Sequence, residues 1–234
     1  MHLHSIHDGV LAAKAGMPLA KLVPGRLGTI REVVGKVGLV ETARLFGRNL
    51  ASVNHYFIIY LTLADLAGAP PKSIGAAVPQ VIGPDEVRGL YGRVPSLAGE
   101  DRWELMSRLL FYQSGFRNCH TMKPDGAIAY LQWLILPEDN RVIARHYRTK
   151  FLPLNSKEVM IENSFTFPEY RGRGFLPFGT WHLLNSAKKL GYKRAVAYVR
   201  KDRIDALNQL LHLGFSIKRM VREFKVLSFT WRTL

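Results

Sequence analysis

Arg171-Gly172-Arg173-Gly174 lies between a stretch of β-branched and aromatic residues, Val159 to Phe167, and an apolar-periodic stretch from about Leu176 to Leu190. A strand entering such a turn and a helix leaving it make a trap for phosphate. Glycines allow close backbone approach, successive amides converge, and the first helical turn has unpaired N–H groups at the positive end of its dipole. No Gly-Lys-Ser/Thr follows, so this is not a P-loop, and the glycines are not spaced as a dinucleotide fingerprint. Taken alone, Arg-Gly-Arg-Gly also fits a simple loop or a nucleic-acid-binding RG tract.

The elements around the loop follow from periodicity. Helices are expected over Pro84 to Gly92 and Glu100 to Ser114, the second with Trp103, Met106 and Leu110 on one face. Strands are expected over Arg117 to Met122, Ala127 to Leu136, Arg141 to Lys150 and Val159 to Phe167. The Lys123-Pro124-Asp125-Gly126 turn makes the first two a hairpin. After the loop come a helix to Leu190, a strand Arg194 to Val199, a helix Ile204 to Leu213 stopped by Gly214, and a strand pair, Phe215 to Val221 and Phe224 to Trp231. An antiparallel run followed by helix, strand, helix implies an α+β fold with a mixed, mostly antiparallel sheet flanked by helices.

Upstream, Thr29 and Glu32 form a capping box, and Ile30, Val33, Val34, Val37 and Val40 make an apolar stripe, so a helix is expected over Thr29 to Arg48. The stripe suits packing on the protein's own core or, with Arg31 and Lys36 off it, contact with a membrane surface. Asn54 to Leu63 reads as a strand, broken by Gly68-Ala69-Pro70-Pro71. The sequence thus divides into a basic helix-and-strand extension, residues 1–70, and a domain, residues 71–234.

With 33 Lys+Arg against 18 Asp+Glu, the net charge is +15. Such a balance favours phosphates, anionic headgroups or an acidic carrier protein. The excess is heaviest from Lys188 onward, where the acids are Asp202, Asp205 and Glu223. One cysteine, Cys119, rules out an internal disulfide and a Cys-rich metal site, and it reads as a small buried hydrophobe. His2, His4 and His7 have no carboxylate-rich partner nearby, so no metal is expected. No signal peptide pattern precedes the chain's first apolar stretch, and Tyr56 to Leu63 is too short to span a bilayer, which points to a cytoplasmic protein, with the inner membrane face as a peripheral contact.

Phe165-Thr166-Phe167-Pro168-Glu169-Tyr170-Arg171-Gly172-Arg173-Gly174 resembles the acetyl-CoA loop of the GNAT acyltransferase superfamily, whose pattern is Gln/Arg-x-x-Gly-x-Gly/Ala. Arg171 fills the first position and Gly174 the fourth. Ala206 and Leu213-Gly214-Phe215 resemble the family's later helix-to-strand signature, and the likeness runs from about Pro84 to Trp231. It implies an N-acyltransferase moving an acetyl or longer acyl group from acetyl-CoA, or another acyl-CoA, to a primary amine. Phe165 and Thr166 would then offer backbone groups to the pantetheine arm. Arg171, Gly172, Arg173, Gly174, Phe175 and Leu176 would hold the pyrophosphate.

Two positions depart from the family. Leu176 stands where Gly or Ala is usual, followed by Pro177, which a first helical turn tolerates. Leu210 stands where many members carry the tyrosine that protonates the departing thiolate, and Arg203 replaces a CoA-contacting asparagine. Acylation still needs a base, because a protonated amine has no lone pair for attack. Glu162 is the candidate: it lies on the strand leading into the loop, and period-two alternation places it on the face of Thr166. Tyr198 and His182 are weaker candidates, the first also readable as sheet packing and the second as solvated.

The hairpin Ala127 to Trp133 and the added N-terminal elements resemble members acting in bacterial polysaccharide and cell-surface pathways, which points to an amino sugar or lipid-linked amine. An acyl carrier protein is an alternative donor on this basic surface. The missing tyrosine leaves open a noncatalytic CoA-binding regulatory module. An RNA-binding protein fits the charge but lacks a recognition motif with stacking aromatics.

Overall fold

Ala51–Thr62 (β1) is rich in aromatic and β-branched residues, which suit a pleated, buried surface. The computed structural model describes residues 51–71, 78–226 and 229–234, together with Gly35 and Gly38. The histidines at 2, 4 and 7 and, apart from Gly35, which is helical, and Gly38, the helix expected from Thr29 lie outside the described residues. Every element below belongs to the unit Phe46–Leu234.

Beyond β1 the chain runs through β2 (Gln80–Val81), α1 (Pro84–Arg93), α2 (Gly99–Gln113), β3 (Cys119–Met122), β4 (Tyr130–Ile135), β5 (Glu158–Thr166), α3 (Phe175–Lys189), β6 (Arg194–Arg200), α4 (Ile204–His212), β7 (Ser216–Val226) and β8 (Phe229–Arg232). The eight strands form one sheet in the order β2-β3-β4-β5-β6-β1-β7-β8. All neighbours are antiparallel except β5 and β6. The architecture is thus the α+β one expected, a mostly antiparallel mixed sheet flanked by helices.

β1 pairs with β6 on one side and β7 on the other. A division at residue 70 would put this strand in an extension, yet it sits inside the sheet, with Ile58, Ile59 and Leu61 fully buried. Its neighbours are distant in sequence, so local patterning carried no sign of the insertion.

One face of the sheet holds the main core. Ile59, Leu61, Leu134, Val159, Ile161, Ala195, Ala197 and Val199 pack against Trp181, Leu184 and Ala187 of α3 and Leu207 and Leu210 of α4. Gly179 lets α3 press onto β4, since a Cβ there would lie 2.7 Å from Tyr130 Cε1. Gln132 and Thr180 satisfy each other across this contact at 3.0 Å. On the opposite face Trp133 meets Phe111 of α2 edge-on at 5.5 Å and donates its indole N–H to the Phe116 carbonyl. The buried residues of α2 are Leu105, Met106, Leu109 and Phe111; Trp103 and Leu110, expected on its apolar face with Met106, line a cavity instead.

Two expected strands differ. Arg141 to Lys150 is no strand but a helical passage, Asn140–Val142 running into a π turn at Ile143–Tyr147. The Asp139 carboxylate accepts from the Leu136 amide at 3.1 Å, starting the passage, and Asn140 braces it by both donating to the carbonyl and accepting from the amide of Leu154. The passage buries Val142 and Ile143 where a strand was expected. Likewise β7 continues unbroken through Arg222 and Glu223 to Val226, because the long β1 pairs with it that far.

Candidate active site

The parallel pairing of β5 and β6 lasts from Glu158↔Arg194 to Ile161↔Ala197 and stops. Beyond it β5 follows β4 while β6 follows β1 as far as Tyr56↔Arg200. The strands fork, and a cavity of about 1100 Å³ opens between them. Such a volume accommodates a large cofactor-sized molecule and a small acceptor. Glu162 and Tyr198 are the first residues on the two prongs.

Period-two reasoning puts Glu162 with Thr166, but the ladder steps from Trp133↔Glu162 to Leu131↔Phe165, so one extra residue is accommodated between them. Asn163 takes up the bulge with φ of 53°, a region asparagine tolerates. Glu162 therefore shares the α2 face with Phe165, while Thr166, opposite Tyr130, belongs to the α3 face. A bulge is local backbone geometry that alternation cannot foresee.

The Glu162 side chain lines the cavity. Its Oε2 accepts the Asn163 amide at 3.2 Å, while Oε1 is shut off from solvent without a hydrogen-bond partner. Burial pushes its pKa up to about 7, against the opposing pull of Arg232, the amides of Asn163 and Tyr198, and Arg108. A carboxyl poised there can take a proton near neutrality.

On the β5 prong the loop has the geometry of an anion cradle. Gly172 and Gly174 have φ of 74° and 82°, where side chains are disfavoured, and a Cβ on either would meet nothing within 4 Å. The space before these amides is open. Gly174 caps α3, so Phe175 and Leu176 present first-turn amides, and Pro177, in that same turn, gives up an N–H that has no intrahelical acceptor. Phe175 is buried beside Tyr130 and Tyr170, which anchors the helix start. Arg171 donates from Nε to the Thr166 carbonyl at 3.3 Å and pairs with Asp101. Arg173 reaches the Glu169 carbonyl at 2.9 Å and lies over the Tyr170 ring. The structure thus brings Glu162, Phe165, Thr166 and residues 171–176 to one cavity, with Phe165 contributing backbone because its ring is buried against Phe167.

α2 closes the cavity's other wall. Its Glu104 pairs with Arg203, which precedes α4, and with Arg108 at 3.8 Å. Arg108 also donates to the Ser164 carbonyl at 3.4 Å, and burial pushes its pKa down.

Sequence reasoning missed the floor. Ladder register places Tyr56, Tyr198, Glu223, Lys225 and Arg232 on the same face as Glu162. The Arg232 Nε donates to Glu223 Oε2 at 2.9 Å, both side chains being nearly inaccessible at 6% and 3%. The guanidinium lies 3.9 Å from the Tyr56 ring centroid. Tyr56 donates to Glu223 at 3.4 Å, and burial pushes its hydroxyl up to about 12. Lys150 and Phe151, at the end of the helical passage, complete the lining. The Arg232 amide donates to the Thr149 carbonyl at 2.7 Å and its Nη1 to the Lys150 carbonyl at 3.1 Å, which fixes that segment against β8. One signal was legible: Glu223 is a lone acid among Lys218, Arg219, Arg222 and Lys225.

Of the other candidates, His182 and Cys119 fall away, while Tyr198 stays at the fork. Leu210, in the position of the absent tyrosine, is largely buried in the core, although its edge reaches the cavity. His182 is half-buried, tilted against Phe178 and edge-on to Trp181, and is not among the residues lining the cavity. Cys119 is buried and its thiol pushed up by burial, so it is no nucleophile. Tyr198 accepts the Leu152 amide at 3.2 Å, which leaves its own proton to donate. Among the described residues no three His, Cys, Asp or Glu side chains gather as a metal site, and no helix is long and apolar enough to cross a membrane.

No family model and no curated protein matches the chain. Solved structures do. A fungal multi-domain GH3 β-N-acetylglucosaminidase, described as containing a GCN5-related glucosamine N-acetyltransferase region, aligns over 78% of this chain with 16% identity and a TM-score of 0.54. A GNAT-family acetyltransferase from Colwellia psychrerythraea aligns over 88% of this chain and 75% of its own with 12% identity and a TM-score of 0.51. A conserved protein of unknown function from Staphylococcus epidermidis aligns over 80% of this chain and 66% of its own with 10% identity and a TM-score of 0.51. The chain spans 22% of the fungal chain's length. With its forked sheet and glycine-capped helix, the protein has the fold of the GNAT N-acetyltransferases.

Proposed function

We propose that this protein transfers an acetyl or longer acyl group from a CoA thioester to a primary amine. The observation that carries the reading is Glu162 at the fork, a carboxyl poised near neutrality and facing a cavity whose β5 wall ends in an anion cradle. The amides of Gly172 to Leu176 hold the pyrophosphate, with Arg171 and Arg173 supplying charge. The free edge of β5 past Ile161 receives the pantetheine arm as an added strand. Glu162 removes the proton from the incoming ammonium, giving nitrogen the lone pair that forms the amide bond as the C–S bond breaks. The second nitrogen proton leaves with the sulfur as free thiol, and the Tyr198 hydroxyl is the group at the fork that can relay it.

Amino sugars are the first acceptors to try, given the glucosamine activity ascribed to the fungal neighbour and the hairpin and N-terminal elements that resemble cell-surface pathway members. The test follows free thiol from acetyl-CoA with a panel of amines headed by glucosamine, and product by mass spectrometry. Amine-dependent thiol release with an N-acetyl product is expected. Binding of acetyl-CoA without turnover of any amine would make this a CoA-binding module instead, and turnover with acyl carrier protein thioesters alone would change the donor.

A further inference from the structure

The cavity floor carries a cation that the transfer chemistry does not use. Lys150 lines the cavity from the segment pinned to β8. Among the described residues its ammonium has the Tyr147 ring, 5.9 Å from the centroid, and no carboxylate within ion-pair distance. The acids near enough to act on it are Glu223 and Glu162, and the cations are Arg232 and Lys225. Glu223 is already committed to Arg232 at 2.9 Å, to the Tyr56 hydroxyl, and to Lys225 at 3.9 Å. Glu162 is half-neutral near pH 7. Once Arg232 and Glu223 cancel, Lys150 and Lys225 leave the floor net positive. A half-buried ammonium without a counter-ion is costly, which agrees with the downward pull of burial on Lys150.

That field opposes a simple cationic amine and favours one that brings its own negative charge. The floor lies on the β1–β7–β8 side of the fork, away from the cradle that follows β5, so the charge Lys150 awaits belongs to the acceptor rather than to the CoA phosphates. We propose that the acceptor is an amine bearing an oxyanion, a carboxylate or a phosphate, which pairs with the Lys150 ammonium while the amine meets Glu162. The inference rests on the acyl-transfer reading for the role of the amine, but Lys150 as an oxyanion handle can be read by binding alone.

The experiment measures binding by calorimetry on the full chain with matched pairs: glucosamine 6-phosphate against glucosamine for the phosphate, and β-alanine against propylamine for the carboxylate. Wild-type protein is expected to prefer at least one oxyanion-bearing member by about 10-fold or more, the worth of one charge-assisted contact. Lys150→Met should bring that ratio to near one, and Lys150→Arg should restore most of it. Circular dichroism confirms that each variant is folded. Equal binding of both members in wild type, no binding of either oxyanion amine, or a ratio unchanged in Lys150→Met would overturn the handle. Thiol release with the same amines reports separately on acyl transfer, so loss of turnover with the binding preference intact would indict the enzymatic reading and spare this one.

Discussion

Glu162 and Tyr198 face each other across the point where β5 and β6 part, one residue beyond the last parallel pair, Ile161↔Ala197. The Tyr198 amide is among the groups acting on the Glu162 carboxyl. The carboxyl and the phenol thus stand together where the two strands part, the place the proposed transfer would use.

Glu162→Gln should lower kcat by about 100-fold with acetyl-CoA affinity nearly intact, since the amide cannot accept the proton. In wild type, kcat/KM should rise with pH through a midpoint near 7, as the carboxyl ionises. Pre-steady-state and pH-rate measurements check this. Retention of that limb in the variant would assign the base elsewhere.

The same substitution has a stability signature of opposite sense. The folded pKa of Glu162 lies above its ordinary 4.5, so the folded state binds the extra proton. Its contribution is fully favourable below pH 4.5 and is lost as pH rises through 7. Glu162→Gln should therefore gain on wild type at pH 8, by roughly 1–3 kcal/mol in denaturant unfolding, and not at pH 4. A gain independent of pH would mean the carboxyl is not strained by burial.

Gly174→Val forces a β-branched residue to φ of 82°, at a cost of about 1–2 kcal/mol, and turns the cradle amides aside. Acetyl-CoA affinity should fall more than about 10-fold, as a shift of that size implies once the amide contacts are also lost. Calorimetry on a variant with native circular dichroism decides it. Unaltered affinity would remove the loop from the phosphate site.

Asp101 holds Arg171, so in the proposed reading a phosphate at the loop would have to compete with it. Asp101→Asn should tighten acetyl-CoA by about 2- to 5-fold at low salt, the scale of a half-exposed ion pair. The gain should shrink as salt is raised. Weaker binding in Asp101→Asn would show the carboxylate positioning Arg171 rather than blocking it.

Glu223 and Arg232 are buried together, so removing one strands the other. Glu223→Leu should cost about 3–5 kcal/mol, and Glu223→Leu with Arg232→Met markedly less. Urea unfolding of the two variants tests the coupling. Additive losses would mean the two charges are independently solvated.

The sequence alone determined the α+β class, the hairpin at Pro124-Asp125-Gly126, the glycine turn at Arg171 to Gly174 and the strand bearing Glu162. Each rests on neighbours within a few residues: a turn type, a left-handed glycine, a helix start. Only the tertiary structure decided the rest. It put β1 between β6 and β7, turned Glu162 onto the α2 face through the Asn163 bulge, and made Arg141 to Lys150 a helical passage that carries Lys150 to the floor. Tyr56, Glu223 and Arg232 meet because strands far apart in the sequence pair at a set register, and Arg232 in turn holds the Lys150 backbone beside them. Their charges acquire meaning only once packing has excluded water and chosen which acid answers which base, an arrangement that no local pattern encodes.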